Sequence, residues 1–123
     1  MALIADYVFD LALAELDTNA DRLDICSTEP TTYTEATSTY TLGNSTSISV
    51  GAAADRSGGG REVTVAAISG ASVTGTGTAG YWSLVDVSES RLLATGALSA
   101  TQAVTSGNTF DLAAFAIGIA DAT

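Results

Sequence analysis

The sequence predicts one mainly β domain over residues 1–123, built as a β-sandwich or a partly open barrel with one N-terminal α-helix. Charged residues make up only 15% of the chain, and Thr, Ser, Ala and Gly take their place. Short alternating segments recur every 8–12 residues or so, separated by Gly, Ser or Asn, which is typical of a sandwich or barrel. A chain of 123 residues has the usual length of a single domain.

One segment near the start, at about residues 4–18, has the spacing of an amphipathic helix. The side chains that repeat at i, i+3, i+4 and i+7 are Ile4, Tyr7, Val8 and Leu11. Phe9, Leu13 and Leu16 widen this apolar face. This periodicity predicts one amphipathic helix.

Strands are expected to follow the helix. In residues 22–27, RLDICS, the apolar Leu23 and Ile25 alternate with polar neighbours. Further strands are predicted at 46–50, 61–68, 72–86, 91–98 and 109–119. Turns are expected at 69–71 and 87–90, and a polar connection after residue 98 ends in the Ser-Gly-Asn of 106–108.

Two segments interrupt this pattern. Residues 27–43 contain Pro30 and many Thr residues, which predicts an irregular excursion with a helical turn at 32–36. A long loop of this kind packs against a surface or reaches out to a partner. Residues 51–60, GAAADRSGGG, are expected to be the most flexible part, so deletion of 57–60 is expected to leave folding intact.

The stretch GTGTAG at residues 75–80 matches the dinucleotide-binding pattern G-x-G-x-x-G. That pattern binds a pyrophosphate only where it closes a strand and opens a helix. Here Gly80 is followed by YWSLVD, whose aromatic and β-branched residues predict a strand. Small residues at Gly75 and Gly77 would let another layer of the protein approach closely. We therefore interpret the match as a coincidence.

The charge balance excludes several partners. The chain has fourteen acidic and four basic residues, which gives a formal net charge of -10, and every basic residue is Arg. Scattered Arg residues cannot form the basic patch that nucleic-acid binding needs. For the same reason, binding to an anionic membrane surface is disfavoured. MALIADYVFD has no basic region and no long apolar run, so we expect neither a signal peptide nor a membrane span.

No residue pattern predicts a reaction. The chain has no His and no Lys, so no Ser, Thr or Cys has a partner of the usual kind that would activate it as a nucleophile. Asp17, Asp21, Asp24, Asp86 and Glu89 are expected to be solvated surface charge, since no calcium-binding loop pattern includes them. A pair of carboxylates could serve a glycosidase, but the chain has few aromatic residues to line a sugar cleft. We predict no catalytic, cofactor or metal residues, and no enzyme.

Two single residues have simple interpretations. Cys26 has no second cysteine to pair with, and a lone thiol in a strand is most often a small buried residue. Trp82 lies in the middle of a predicted strand, where a large aromatic side chain usually belongs to the core. The alternative for Trp82 is an interface anchor.

Three stretches together resemble small proteins encoded in the structural-gene clusters of tailed bacteriophages and prophages. They are RLDICSTEPTTYTEATSTYTLGN (22–44), GTGTAGYWSLVDVSESRLLATGALS (75–99) and TSGNTFDLAAFAIGIADA (105–122). The resemblance runs from Ala5 to Ala122 and implies a virion structural protein made in the host cytoplasm. Among such parts, we favour a capsid decoration (cement) protein on the outer surface of the head.

The resemblance implies as partners the major capsid protein and further copies of this chain, with a trimer as the expected oligomer. The N-terminal helix, the Thr-rich excursion and the Gly loop are the expected contact regions, because loops on a rigid scaffold carry recognition. The alternatives are a tail protein, a head–tail connector protein or a receptor-binding component of the virion.

Overall fold

A computed structural model describes residues 4–121 and contains one α-helix, α1 (Asp6–Asn19), followed by nine strands. The strands are β1 (Arg22–Cys26), β2 (Thr41–Ser45), β3 (Ala54–Asp55), β4 (Arg61–Val65), β5 (Ile68–Val73), β6 (Gly77–Asp86), β7 (Arg91–Val104), β8 (Thr109–Leu112) and β9 (Phe115–Ile119). The predicted mainly β class with an N-terminal helix is confirmed.

The strands form two antiparallel sheets. Six strands pair in the order β7-β6-β1-β2-β5-β8, and this sheet curls into a half-barrel, so the partly open barrel is the better description. Three strands pair in the order β3-β4-β9. Leu23 on β1 lies opposite Leu84 on β6, and both are fully buried. They share one hydrophobic cluster with Val63 and Val65 of β4, so the core lies between the sheets.

Helix α1 buries only part of the apolar face that the spacing predicted. Phe9, Leu13 and Leu16 are buried, and the helix packs against β4 and β6. Tyr7, Val8 and Leu11, which the spacing assigned to the same apolar face, are exposed, as is Ile4 just before the helix. Only residues 20 and 21 connect α1 to β1, and the Asp21 backbone N–H donates to Val85 O at 3.1 Å. Such a short, anchored connection gives the helix little freedom to rotate.

The Thr-rich excursion contains a π-helical turn at Glu35–Thr39, slightly later than the predicted turn at 32–36. The excursion covers the outer face of β1. Ala36 and Pro30 are fully buried there, and Thr95 on β7 donates to a carboxylate oxygen of Glu29 at 3.2 Å. Of the two predicted roles for this segment, packing against a surface is the one observed.

Several strand boundaries differ from the predicted ones. The predicted strand at 46–50 forms only a single bridge, between Val50 and Val65, whereas Thr41–Ser45 is the strand. This segment pairs with β1 and β5, and pairing on both sides outweighs the turn preference of its Gly and Asn residues. The predicted turn at 69–71 lies inside β5, at an irregularity in its pairing with β8.

The C-terminal third contains two further differences. Residues 99–104 were predicted as a polar connection but continue β7, where they pair with the start of β6. Their side chains are mostly exposed and the ladder is held by backbone hydrogen bonds, so no apolar alternation marks them. The predicted strand at 109–119 is two strands, β8 and β9, which belong to different sheets. A strand that changes sheet in this way forms a corner of the fold.

The Gly-rich segment 51–60 is more ordered than predicted. Ala54 and Asp55 form β3 and pair with Glu62 and Arg61. The Arg56 backbone N–H donates to Gly60 O at 3.0 Å, so the glycines form the turn of a hairpin. The short strand β3 was not predicted, whereas the three glycines lie in a turn and not in a helix or strand.

Within residues 4–121, no helix is long and apolar enough to cross a membrane.

Candidate interaction surface

The GTGTAG stretch belongs to β6 and its approach, and β6 continues to Asp86 without opening a helix. The prediction that a strand, and not a helix, follows Gly80 is confirmed. Gly75 and Gly77 face the side chain of Leu42, and a Cβ built on them would lie 3.5 and 3.3 Å from Leu42 Cδ2. The glycines therefore serve close packing of β6 against β2, as the sequence indicated.

The predicted surface acids do not behave alike. Asp24 and Asp86 are buried, so their prediction as solvated charge is wrong. Asp86 accepts a hydrogen bond from Ser88 Oγ at 2.7 Å and orders the turn after β6. Asp21 accepts from the Val87 backbone N–H at 2.9 Å in the same region. These carboxylates stabilise turns and strand ends.

Asp24 can be buried because it has close polar partners. Arg22 Nε and Nη2 donate to its two carboxylate oxygens at 2.7 and 2.8 Å, and Thr41 Oγ1 donates at 2.6 Å. The hydrogen bonds to Asp24 raise the pKa of Arg22. These hydrogen bonds, two of them from one guanidinium, offset part of the free energy that burying the Asp24 carboxylate costs. The pair lies on the outer face of β1, under the Thr-rich excursion.

No group of three or more His, Cys, Asp or Glu side chains in the described part of the chain is placed to hold a metal ion. Asp17, Asp21 and Asp24 follow each other closely in the sequence, but their side chains do not converge. Asp17 is exposed on α1, Asp21 is bound to the Val87 amide, and Asp24 is buried with Arg22.

Cys26 is fully buried at the end of β1, as predicted. Its thiol donates to Ala36 O at 3.7 Å and lies 3.9 Å from Ser83 Oγ. Burial raises the pKa of the thiol from 9.0 to about 11. The thiolate that a nucleophile needs is therefore scarce at neutral pH.

The Cys26 pKa predicts how stability depends on pH. The unfolded thiol ionises near its ordinary pKa of 9.0 and the folded thiol near 11, so stability is full below pH 9 and falls between pH 9 and pH 11. From pH 8 to pH 10.5 we expect the free energy of unfolding to drop by about 2 kcal/mol more in the wild type than in Cys26→Ala. Urea unfolding at both pH values measures this. An equal drop in the two proteins would contradict it.

An apolar groove lies between β7 and the β8–β9 corner. Its volume is about 390 Å³, and Trp82, Leu98, Leu112 and Phe115 form part of its lining. Small-molecule sites combine such walls with a few converging polar groups. Ser99 is the single polar side chain in this lining, and no charged side chain contributes to it. The groove therefore offers apolar contact rather than acid–base chemistry.

The exposed face of α1 is the most unusual surface of the protein. Tyr7, Val8 and Leu11 lie on this face and Ile4 lies just before the helix; we call these four residues the apolar stripe. The exposed fractions of Ile4, Tyr7, Val8 and Leu11 are 42%, 71%, 52% and 58%. The remaining large hydrophobic residue exposed within 4–121 is Val87. Contiguous exposed apolar side chains mark interaction sites, whereas single ones are ordinary. The helical spacing in the sequence identified these residues as apolar, but only the structure shows that they are exposed.

The apolar stripe is positioned by a rigid scaffold. The opposite face of α1 is buried in the core, and Arg61 Nε on β4 donates to Asp10 on the helix at 2.8 Å. Arg61 also donates to Asp55 of β3 at 2.6 Å, so one guanidinium holds the helix against the smaller sheet. These contacts hold the stripe in a fixed orientation facing solvent.

No protein-family model, curated protein or solved structure matches this chain.

Proposed function

We propose that this chain is a structural protein of a tailed-bacteriophage virion and that it decorates the outside of the assembled head as a cement protein. The observation that carries the proposal is the apolar stripe on α1, a helix face that is exposed although the rest of the helix is well packed. A rigid apolar surface of this kind suits docking to another protein. The resemblance of residues 22–44, 75–99 and 105–122 to phage structural proteins supports the same conclusion.

The net charge supports an outer position. A protein with a formal charge of -10 is repelled by packaged DNA, whereas the outer surface of the head imposes no such cost. The partners under this proposal are the major capsid protein and neighbouring copies of the chain, which would meet as a trimer at local symmetry axes. The place of action is the virion, after synthesis in the host cytoplasm.

Cementing would act through mass action. A protein that binds the assembled shell but not its separated subunits stabilises the shell by RT ln(1 + [L]/Kd) at each site. The same small stabilisation is repeated over every equivalent site of the lattice. No chemical step is required.

The copy number of the chain in purified particles tests this proposal. Quantitative mass spectrometry against the major capsid protein is expected to give a ratio within a few-fold of one. The chain has no Lys and four Arg, so trypsin leaves long fragments; digestion at Glu or at aromatic residues is the better choice. A handful of copies per particle would place the protein in the tail or connector. Absence from particles would refute a virion role altogether.

A further inference from the structure

We propose that the apolar stripe of α1 docks into an apolar groove with a basic rim on a different protein, and that a second copy of this chain does not occupy it. This inference rests on the proposed function, under which the groove belongs to the head shell. Tyr7, Val8 and Leu11 lie at i, i+1 and i+4 on one face of α1, and Ile4 just before the helix extends this face, a pattern like that of helices that bind in grooves. Tyr7 is the most exposed of them at 71%, and Tyr is enriched among the residues that dominate interface energy.

The charges around the stripe define the chemistry of the partner. The helix carries the acidic residues Asp6, Asp10, Glu15 and Asp17 and contains no basic residue. Helical spacing places Asp6, Asp10 and Asp17 along one side of the stripe, and Glu15 follows Leu11 by one turn. Asp10 is already paired with Arg61. The other three are exposed, so the docking face presents an apolar centre with an acidic border.

A second copy is a poor occupant for this face. Two copies would each bring a formal charge of -10, and a symmetric helix–helix contact would bring the acidic borders together. The chain has only four basic residues, and Arg22 and Arg61 already pair with carboxylates of their own chain. A partner with Lys or Arg around an apolar groove complements both the centre and the border of the stripe.

The test uses the full chain and purified particles assembled without it. Tyr7→Ser combined with Leu11→Gln is expected to weaken particle binding at least about tenfold, since both side chains are central to the stripe. The control is Val87→Gln, which removes an exposed apolar side chain elsewhere and is expected to stay within about twofold of wild type. Because the replaced side chains are exposed, the melting temperatures of all three proteins should agree.

A second arm tests the charge of the partner. Asp6→Asn combined with Asp17→Asn is expected to weaken binding about threefold to tenfold at low salt and to approach wild type near 0.5 M salt, because screening removes rim electrostatics. The control for this variant is Glu89→Gln, which removes an exposed carboxylate far from α1 in the sequence and is expected to leave binding unchanged. Tighter binding of the Asp6/Asp17 variant, or binding of the wild type that does not change with salt, would overturn the basic-rim inference.

The remaining outcomes separate this inference from the proposed function. If the wild type binds particles and the Tyr7/Leu11 variant binds equally well, the stripe is not the docking face, but the proposal of a cement protein is not affected. A wild-type chain that fails to bind particles would overturn both. Sedimentation of the isolated chain adds one more outcome: an oligomer that dissociates in the Tyr7/Leu11 variant would show that a second copy occupies the stripe and would overturn the inference.

Discussion

Trp82→Ala is expected to lower the free energy of unfolding by about 3–5 kcal/mol, as truncation of a buried Trp does in other cores. Trp82 is only 8% exposed and belongs to the main hydrophobic cluster. Its ring lies 4.5 Å from that of Phe115, centroid to centroid, so the pair joins β6 of the larger sheet to β9 of the smaller one. Loss of the indole therefore removes a contact between the two sheets as well as buried area.

Urea unfolding followed by far-UV circular dichroism measures this effect, because the variant lacks the only Trp and gives no comparable fluorescence. We expect the melting temperature to fall by at least about 10 °C, given the usual entropy of unfolding for a chain of this size. Trp82→Phe, which keeps a ring against Phe115, should lose clearly less. An unchanged melting temperature in Trp82→Ala would mean that Trp82 makes no contribution to the core.

Gly60→Ala is the second substitution with a large expected effect, a loss of about 2–6 kcal/mol in the free energy of unfolding. Gly60 has φ of 101°, which costs a residue with a side chain about 1–3 kcal/mol. A Cβ there would also lie 2.0 Å from the backbone oxygen of Ile119 on β9, and relieving that overlap adds about 1–3 kcal/mol. The neighbour is backbone in a paired strand, so it cannot rotate away.

Gly58→Ala is the matched control, because Gly58 has φ of 86° but nothing within 4 Å of its built Cβ. Its free energy of unfolding should fall only by the cost of the positive φ, about 1–3 kcal/mol. Thermal unfolding of both variants, compared with wild type, separates backbone strain from close approach to β9. Equal losses would show that the contact with Ile119 costs nothing. The deletion of 57–60 is a separate experiment, and the prediction that it leaves folding intact stays a prediction.

The sequence patterns that predicted the structure correctly are local ones, in which the residue types of a single strand or the type of a single residue are sufficient. Alternation in 22–27 predicted β1, and the aromatic residues after Gly80 ruled out a phosphate-binding helix. Cys26 and Trp82 were expected to be buried and are. These outcomes depend on side-chain type and period, which the sequence contains directly.

Burial of Asp24 could not be read from the chain in the same way. A carboxylate in a strand is normally solvated, and its burial here depends on Thr41 and on the excursion that folds over β1. Arg22, two residues away, was the available signal, because residues i and i+2 share one face of a strand. The division of 109–119 into β8 and β9 could not be predicted either, because the two strands are distinguished only by their partners: β8 pairs with β5, and β9 pairs with β4.

By itself, the sequence determined the β-rich class, the N-terminal helix, the acidic character and the existence of apolar residues at helical spacing on α1. Tertiary structure alone decided which side of that helix is buried. Both sides carry large apolar residues, and periodicity records that a face exists without saying what it packs against. The short connection to β1 and the Asp10–Arg61 pair orient the helix so that Phe9, Leu13 and Leu16 point towards the core. That choice leaves Tyr7 and its neighbours exposed, which makes α1 the candidate docking surface.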